Sequence, residues 1–276
     1  MSYEEVIYDI SDHVATITLN RPAKLNAWTQ RMSVEYRDAM ANAEKDPNVR
    51  VIILTGAGKG FCAGADMGLL ASIGSGNGNA SAGGFESNGD PGQRPDTRPD
   101  FKNTYSFLPA IHKPILCAVN GAAAGLGLVH TLYCDMRFAS DTAKFSTSFA
   151  QRGLIAEYGL AWLLPRIVGM HNALDLLFSA RVIKADEALA MGLVGKVYPA
   201  DQLMPAVREY AKQLATLSSP RSLGIMKRQV YDAQFTDLAG ALSLAEKEML
   251  LSLGCDDFRE GVSSYLEKRA PAFSGK

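Results

Sequence analysis

Apolar positions alternate at the start of the chain. Val6, Tyr8 and Ile10 share one side of a period-two stretch. After Ser11-Asp12-His13, Val14, Thr16 and Thr18 oppose Ala15, Ile17 and Leu19. Period two is the repeat of a strand, and the polar triplet reads as a turn, so the segment predicts a β-hairpin. The repeat then lengthens. Met32, Tyr36, Ala39, Met40 and Ala43 recur at helical spacing, which predicts a helix over 29–45 that Asp46-Pro47-Asn48 ends. The short apolar runs 51–54, 115–119 and 137–139 predict strands. Between the last two, NGAAAGLGLVHTLYCD opens with small residues and continues as a buried helix. Further helical patterns fall at 160–167, 172–178 and 185–191, the last stopping at Gly192, and 193–198 reads as a strand. Asp201 is expected to cap a helix with Leu203, Val207, Tyr210 and Leu214 in step.

From Ser219 onward only helical periodicity remains. Leu238, Leu242, Ala245, Met249 and Leu253 form one long apolar stripe, and a second helix is expected over 256–268. A strand-and-helix body followed by a helical tail predicts an α/β protein with a terminal helical module. The body is placed at 1–200 and the tail at 201–276. Such a tail folds over its own body or packs against a partner subunit. Residues 72–104 interrupt the pattern with Gly, Ser, Asn, Pro and Asp. They read either as a flexible surface insertion or as a substrate lid or pocket wall.

Composition narrows the function classes. The 276 residues carry 28 basic and 29 acidic side chains, a net charge of −1. No overall field favours nucleic acid or an anionic membrane, so an anionic ligand would be held by local groups. Cys62, Cys117, Cys134 and Cys255 have no metal-ligand spacing and read as free thiols, so no metal site is expected. The first residues, MSYEEVIYDI, lack the apolar region of a signal peptide, and no apolar run reaches membrane-span length. A cytoplasmic compartment is therefore expected. GLG is not followed by the acid of a dinucleotide fingerprint, which disfavours a Rossmann reading.

Four segments carry a resemblance. They are Leu19 to Ala27 (LNRPAKLNA), Gly60 to Asp66 (GFCAGAD), Lys113-Pro114 through Gly121 with Gly125 and Gly127, and Pro165 to Gly169 with the pattern around Ala188 to Val194. In this order and spacing the chain resembles the crotonase (enoyl-CoA hydratase/isomerase) superfamily. The resemblance implies a crotonase-like spiral of ββα turns with a C-terminal helical trimerisation region, hence a homotrimer or hexamer. It implies an acyl-CoA substrate, with coenzyme A arriving as part of that substrate and no separate cofactor. The backbone N–H groups of Ala65 and Leu126 are then implied to polarise the thioester carbonyl, with Leu126 standing where the family often has glycine. Lys24, Asn26 and Ala27 are implied to meet the nucleotide end of CoA, and Ala63, Gly64, Asp66, Met67 and Gly125 to line the path. For Lys24 a solvated lysine, and for Asp66 a helix cap, are equally open readings.

The sequence departs from the two-glutamate hydratases of that family. Val129 and Phe149 stand where the two acids would be. One other acid stands where the resemblance implies that some relatives carry an Asp or Glu: Glu157, eight residues before Pro165, with Ile155, Ala156, Tyr158 and Leu160 around it. Burial there would raise its pKa and suit it to acid–base work, while a helix-start carboxylate is the plainer reading. A single carboxylate suits proton transfer between two carbons, so enoyl-CoA isomerisation with Glu157 as the shuttle is expected. The alternatives are hydration or lyase chemistry on an unusual substrate, and a non-catalytic acyl-CoA-binding module. Dehalogenation is disfavoured because His112 reads as structural and His130 as core. Whether Glu86, Asp90 or Asp96 completes an acid pair stays open. Lys268 and Arg269 either reach a CoA phosphate across a subunit boundary or are solvated.

Overall fold

The computed structural model of the protein describes residues 3–68, 71, 75 and 97–276. The hairpin forms as the alternation predicts: β1 (Val6–Ser11) pairs antiparallel with β2 (Val14–Leu19). Asp12 and His13 join them with φ of 50° and 63°. Two successive positive φ values are the backbone of a tight hairpin turn whose twist matches the strands. Parallel to β2 run β3 (Val51–Gly56), β5 (Ile115–Val119), β7 (Met136–Ser140) and β10 (Lys196–Tyr198), completing a six-stranded sheet in the order β1-β2-β3-β5-β7-β10. A four-stranded sheet holds β4 (Gly60–Cys62), β6 (Ala122–Ala124), β8 (Lys144–Ser146) and β9 (Ile183–Lys184). Each step along the chain puts one strand in each sheet: β3 then β4, β5 then β6, β7 then β8. Helix α2 (Leu126–Tyr133) follows β6 and α3 (Leu160–Ser179) follows β8, which is the ββα repeat.

Both faces of the large sheet are covered, which explains its unbroken apolar strands. Ile52, Leu54, Cys117 and Val119 join a core with Met32 and Met40 of α1 (Gln30–Lys45). Their alternates Val51, Ile53, Leu116 and Ala118 pack on Leu203, Val207, Ala211 and Ala215 of α5 (Leu203–Leu217). Helix α1 starts where Thr29 accepts the N–H of Met32 at 3.0 Å.

Several boundaries differ from expectation. Asp201 does not cap α5. The helix enters through Gln202 with no side-chain cap, and the Leu203 N–H is satisfied by the carbonyl of Pro199 at 3.1 Å. The strand over 193–198 shrinks to β10, because the Leu193 N–H turns back to the Ala188 carbonyl at 2.8 Å and closes α4 (Ala185–Ala190). The patterns at 160–167 and 172–178 are two halves of α3, separated by Gly169 with φ 78° and ψ 161°. Strands β4 and β6 lie in GFC and AAA, runs too short and too small to show a period.

The tail forms α6 (Pro220–Asp232), α7 (Leu238–Leu253) and α8 (Asp256–Glu267). The apolar stripe of α7 does not face the body of its own chain: Leu238 is 74% exposed and Met249 54%. The residue that α7 buries is Glu248, which pairs with Arg228 and Arg221. Helix α6 docks through Lys227. Its Nζ lies 2.8 Å from Asp135 Oδ2 and donates to the carbonyls of Leu108 and Lys113 at 3.1 and 3.2 Å. Asp135 also accepts the Ile115 N–H at 2.7 Å and the Tyr231 hydroxyl at 3.0 Å. Replacing Lys227 by methionine leaves the partly buried Asp135 carboxylate without its cation. It is expected to cost roughly 3–5 kcal/mol, read from chemical denaturation. No helix among the described residues is long and apolar enough to cross a membrane.

Candidate active site

The loop after β2 is built around Asn26. Leu25 and Asn26 both take left-handed backbone, with φ 47° and 56°. The Asn26 side chain is fully buried, accepts the Arg21 N–H at 2.8 Å, and donates to the carbonyls of Ala57 and Gly60 at 3.0 and 2.8 Å. Asn26 therefore clamps the loop, and its side chain is not offered to a ligand. The clamp aligns Trp28 with Ala65 in a parallel bridge: Trp28 N–H donates to the Gly64 carbonyl at 2.7 Å, and the Asp66 N–H donates to the Trp28 carbonyl at 3.0 Å. In that pattern the N–H of Ala65 itself points away from Trp28. Trp28 is held from behind by the ring of buried His130, stacked with centroids 4.0 Å apart. Burial pushes the His130 pKa down to about 3, so the ring stays neutral.

The neighbouring segment comes from β6. Gly64 has φ 101°, and a Cβ there would lie 3.0 Å from the Ala124 carbonyl oxygen and 3.8 Å from the Leu126 nitrogen. The two loops thus meet beside Ala65. Leu126 is the first residue of α2, ahead of its opening bond from the Val129 N–H to the Gly125 carbonyl at 3.1 Å. Neither the Ala65 nor the Leu126 N–H has an acceptor among the described residues. Free N–H groups at a helix start, with the helix dipole behind one of them, favour an oxygen carrying negative charge.

Both residues line a cavity of about 780 Å³. Lys24, Ala27, Ala63, Gly64, Asp66, Met67 and Gly125 line it too, so of the residues assigned by resemblance to the donors and the CoA path only Asn26 is missing. Asp66 is tied up: Oδ1 accepts the Gly68 N–H at 2.9 Å, and Oδ2 meets Arg21 Nη1 at 3.1 Å, which together hold its carboxyl below the usual range. Cys62 lies behind the loop, and burial pushes its thiol up to about 12, which leaves it a packing group.

Glu157 is brought to the same cavity. It sits on a turn between Ala150–Arg152 and α3, fixed by its N–H to the Ile155 carbonyl at 2.9 Å and by the Leu160 N–H to its own carbonyl at 3.0 Å. Tyr158 follows with φ 54°, a left-handed backbone unusual for a bulky residue, and the Tyr133 hydroxyl holds its carbonyl at 2.8 Å. Glu157 is half-buried rather than sealed, since Ile155 beside it is 78% exposed. Burial still raises its pKa, against a hydrogen bond with Tyr158 that lowers it. Val129 is buried in the core, and Phe149 contributes a ring to the cavity wall.

Glu157 and Tyr158 also line a second cavity of about 800 Å³. Part of its wall comes from residues 100–104, the described end of the predicted insertion. Trp162, which the sequence places with Tyr158 near Glu157, lines it too, and Tyr105, Tyr231 and Phe235, which were not singled out from the sequence, complete much of it. Glu86, Asp90 and Asp96 lie outside the described residues. Arg269 pairs with Glu260 and Glu267 of its own chain. Arg152, also missed, adds a cation to the first cavity beside Lys24.

The profile of the enoyl-CoA hydratase/isomerase family matches residues 9–276. The chain belongs to that family. Membership covers the crotonase superfamily expected from the four segments and makes the chain an enzyme of the acyl-CoA class. Among similar proteins, the 1,2-epoxyphenylacetyl-CoA isomerase of Escherichia coli K12 is 34% identical over 99% of both chains. The crotonyl-CoA hydratase of Syntrophomonas wolfei is 32% identical over 100% of both. A crystal structure of a putative enoyl-CoA hydratase from Streptomyces coelicolor A3(2) superposes with a TM-score of 0.86 at 29% identity, covering 100% of this chain and 96% of that one. Enoyl-CoA hydratase/isomerase family membership thus rests on the whole fold and not on the glycine-rich loops alone.

Proposed function

We propose that this enzyme moves the double bond of an enoyl-CoA, with Glu157 as the single proton shuttle. The observation that carries the reading is the pairing of Glu157 with two unengaged N–H groups on one cavity, while Val129 and Phe149 offer no second acid. The thioester oxygen accepts from Ala65 and Leu126. The Glu157 carboxylate takes the α proton, and the electron pair delocalises onto that oxygen as a dienolate. The carboxylic acid then returns its proton to the γ carbon, so the double bond moves from β,γ to α,β with no net loss of atoms. Preorganised donors favour the oxygen as its charge grows, and raised basicity suits Glu157 to both proton steps. The Escherichia coli relative is named as an isomerase, which is in keeping with this. Lys24 and Arg152, at the donor cavity, are assigned to the CoA phosphates.

Purified enzyme in heavy water, given β,γ- and α,β-enoyl-CoA esters, is expected to incorporate deuterium and shift the double bond. Water addition as the main product would replace isomerisation by hydration. Saturable CoA binding without exchange on any ester would leave a binding module.

Assembly is part of the reading. Leu238, Leu250, Tyr265 and Leu266 are 69–83% exposed on α7 and α8, more apolar surface than a monomer leaves in water without function. Copies of this chain are assigned to pack there as a homotrimer or hexamer. Light scattering is expected to give three or six times the monomer mass; a monomer at micromolar concentration would refute it.

A further inference from the structure

The second cavity differs in character from the first. The first has a mixed lining of small, charged and apolar residues with the rings of Phe149 and Tyr158; the second is walled mainly by rings. Trp162 and Phe235 stack with centroids 5.2 Å apart and planes 10° off parallel. Arg166 lies over the Trp162 ring at 3.9 Å, and Arg98 over the Phe235 ring at 4.2 Å. These cation–π contacts help to fix the two rings in place. Phe101 meets Phe235 edge-on at 5.8 Å, and Tyr105 meets Tyr158 edge-on at 4.6 Å. The polar tips of two tyrosines are already spent, Tyr133 on the Tyr158 carbonyl and Tyr231 on Asp135, so their rings present apolar surface.

Glu157 and Tyr158 line both cavities and so stand where the two adjoin. With the thioester carbonyl at Ala65 and Leu126, the proposed reaction puts the reacting carbons beside Glu157, and the ring-walled chamber is the space beyond it for the rest of the acyl group. We propose that this chamber selects an acyl group ending in an aromatic ring, seated beyond the carbons between which the proton moves. The inference rests on the isomerase reading only for the direction in which the acyl group points. A planar ring meets fixed ring faces and edges through their complementary quadrupoles. It also has no internal rotors to freeze, whereas an alkyl chain loses several.

The test compares two thioesters of equal carbon number. One is a β,γ-enoyl-CoA ending in a phenyl ring that one methylene insulates from the double bond. The other is the straight-chain β,γ-enoyl-CoA. Hydrophobic transfer alone does not favour the ring over the longer chain. The phenyl ester is expected to show kcat/KM at least about tenfold higher, and its saturated analogue to bind at least about tenfold more tightly than the saturated straight chain. Phe235→Leu and Trp162→Leu, made separately in case one fails to fold, are each expected to bring both ratios to near unity. Equal or better binding of the straight chain would overturn the proposal, whatever the chemistry. Ratios that survive both substitutions would also overturn it. If neither ester turns over while the phenyl analogue still binds more tightly, the isomerase reading falls and the aromatic chamber stands.

Discussion

Exchanging Glu157 for glutamine is expected to lower kcat for double-bond migration roughly 10²–10⁴-fold, with thioester affinity almost unchanged. Glutamine keeps the size of the side chain and its place on the turn before α3 but cannot accept and return a proton. Two further readouts separate chemistry from architecture. Burial raises the Glu157 pKa, so the ionised base that takes the α proton appears at higher pH than for an ordinary glutamate. The acid limb of kcat/KM should therefore lie above the usual value of about 4.3 and be absent from the residual activity of the variant. Stability should move the opposite way to activity. A carboxyl whose folded pKa is raised contributes fully to stability below its unfolded pKa, and that contribution is lost as pH rises through the folded value. At neutral pH the wild type thus carries a half-buried charge that glutamine lacks. The variant is expected to melt somewhat higher than the wild type at pH 7, and this difference should vanish in acid. A variant that instead melts lower and loses thioester affinity would assign Glu157 to holding the turn.

Gly127→Ala is expected to have the largest combined effect on stability and rate. A Cβ at this position would sit 2.0 Å from the carbonyl oxygen of Cys62 and 2.8 Å from its carbonyl carbon. Those are backbone atoms of β4 and cannot rotate aside, so α2 must lift off the small sheet. The expected cost is roughly 2–4 kcal/mol in urea unfolding. Leu126 stands immediately before Gly127, so the same displacement carries its N–H away from that of Ala65. A misplaced donor is expected to reduce kcat about 10²-fold or more. Wild-type stability with full activity would show that the close approach of α2 and β4 is not required.

The half of the candidate site proposed to hold the thioester was brought together as the sequence suggested, because backbone constraints leave marks there. Gly64 and Gly127 have backbone of another segment where a Cβ would sit, and Gly125 has φ 51°, so these glycines mark the loops that hold Ala65 and Leu126. Glu157 stood out by its distance from Pro165 and by the apolar residues around it. The ring-walled chamber left no such mark. Its parts come from residues 98–105, 158–162 and 231–235. Each is an ordinary aromatic in its own segment, and nothing in spacing says that Trp162 will lie flat on Phe235. The composition of 72–104 even hid Phe101 inside a stretch that looked like pure loop. The α7 stripe was legible as a stripe but not in direction, since helical period fixes which residues share a face and not which body that face meets. Asn26 shows a further limit: an asparagine beside a binding loop looks like a ligand contact, and only coordinates reveal that both ends of its amide are already committed.

The two donors at Ala65 and Leu126 are main-chain amides, and this sets how the site tolerates change. Every residue type but proline carries an N–H, so almost any exchange at these positions leaves the donor chemically intact and tests only whether the side chain fits. Deleting a donor outright takes proline. At position 126 the first turn of the helix can accept one without breaking. Leu126→Pro would remove that N–H while a proline fits the first helical turn, and it would also exchange the buried leucine side chain for a pyrrolidine ring. The role proposed for Glu157 has no such protection, because it resides in side-chain atoms. On that reading, exchanges at 65 and 126 that fit the packing leave thioester binding in place, while a change at 157 alters which reaction the bound thioester undergoes.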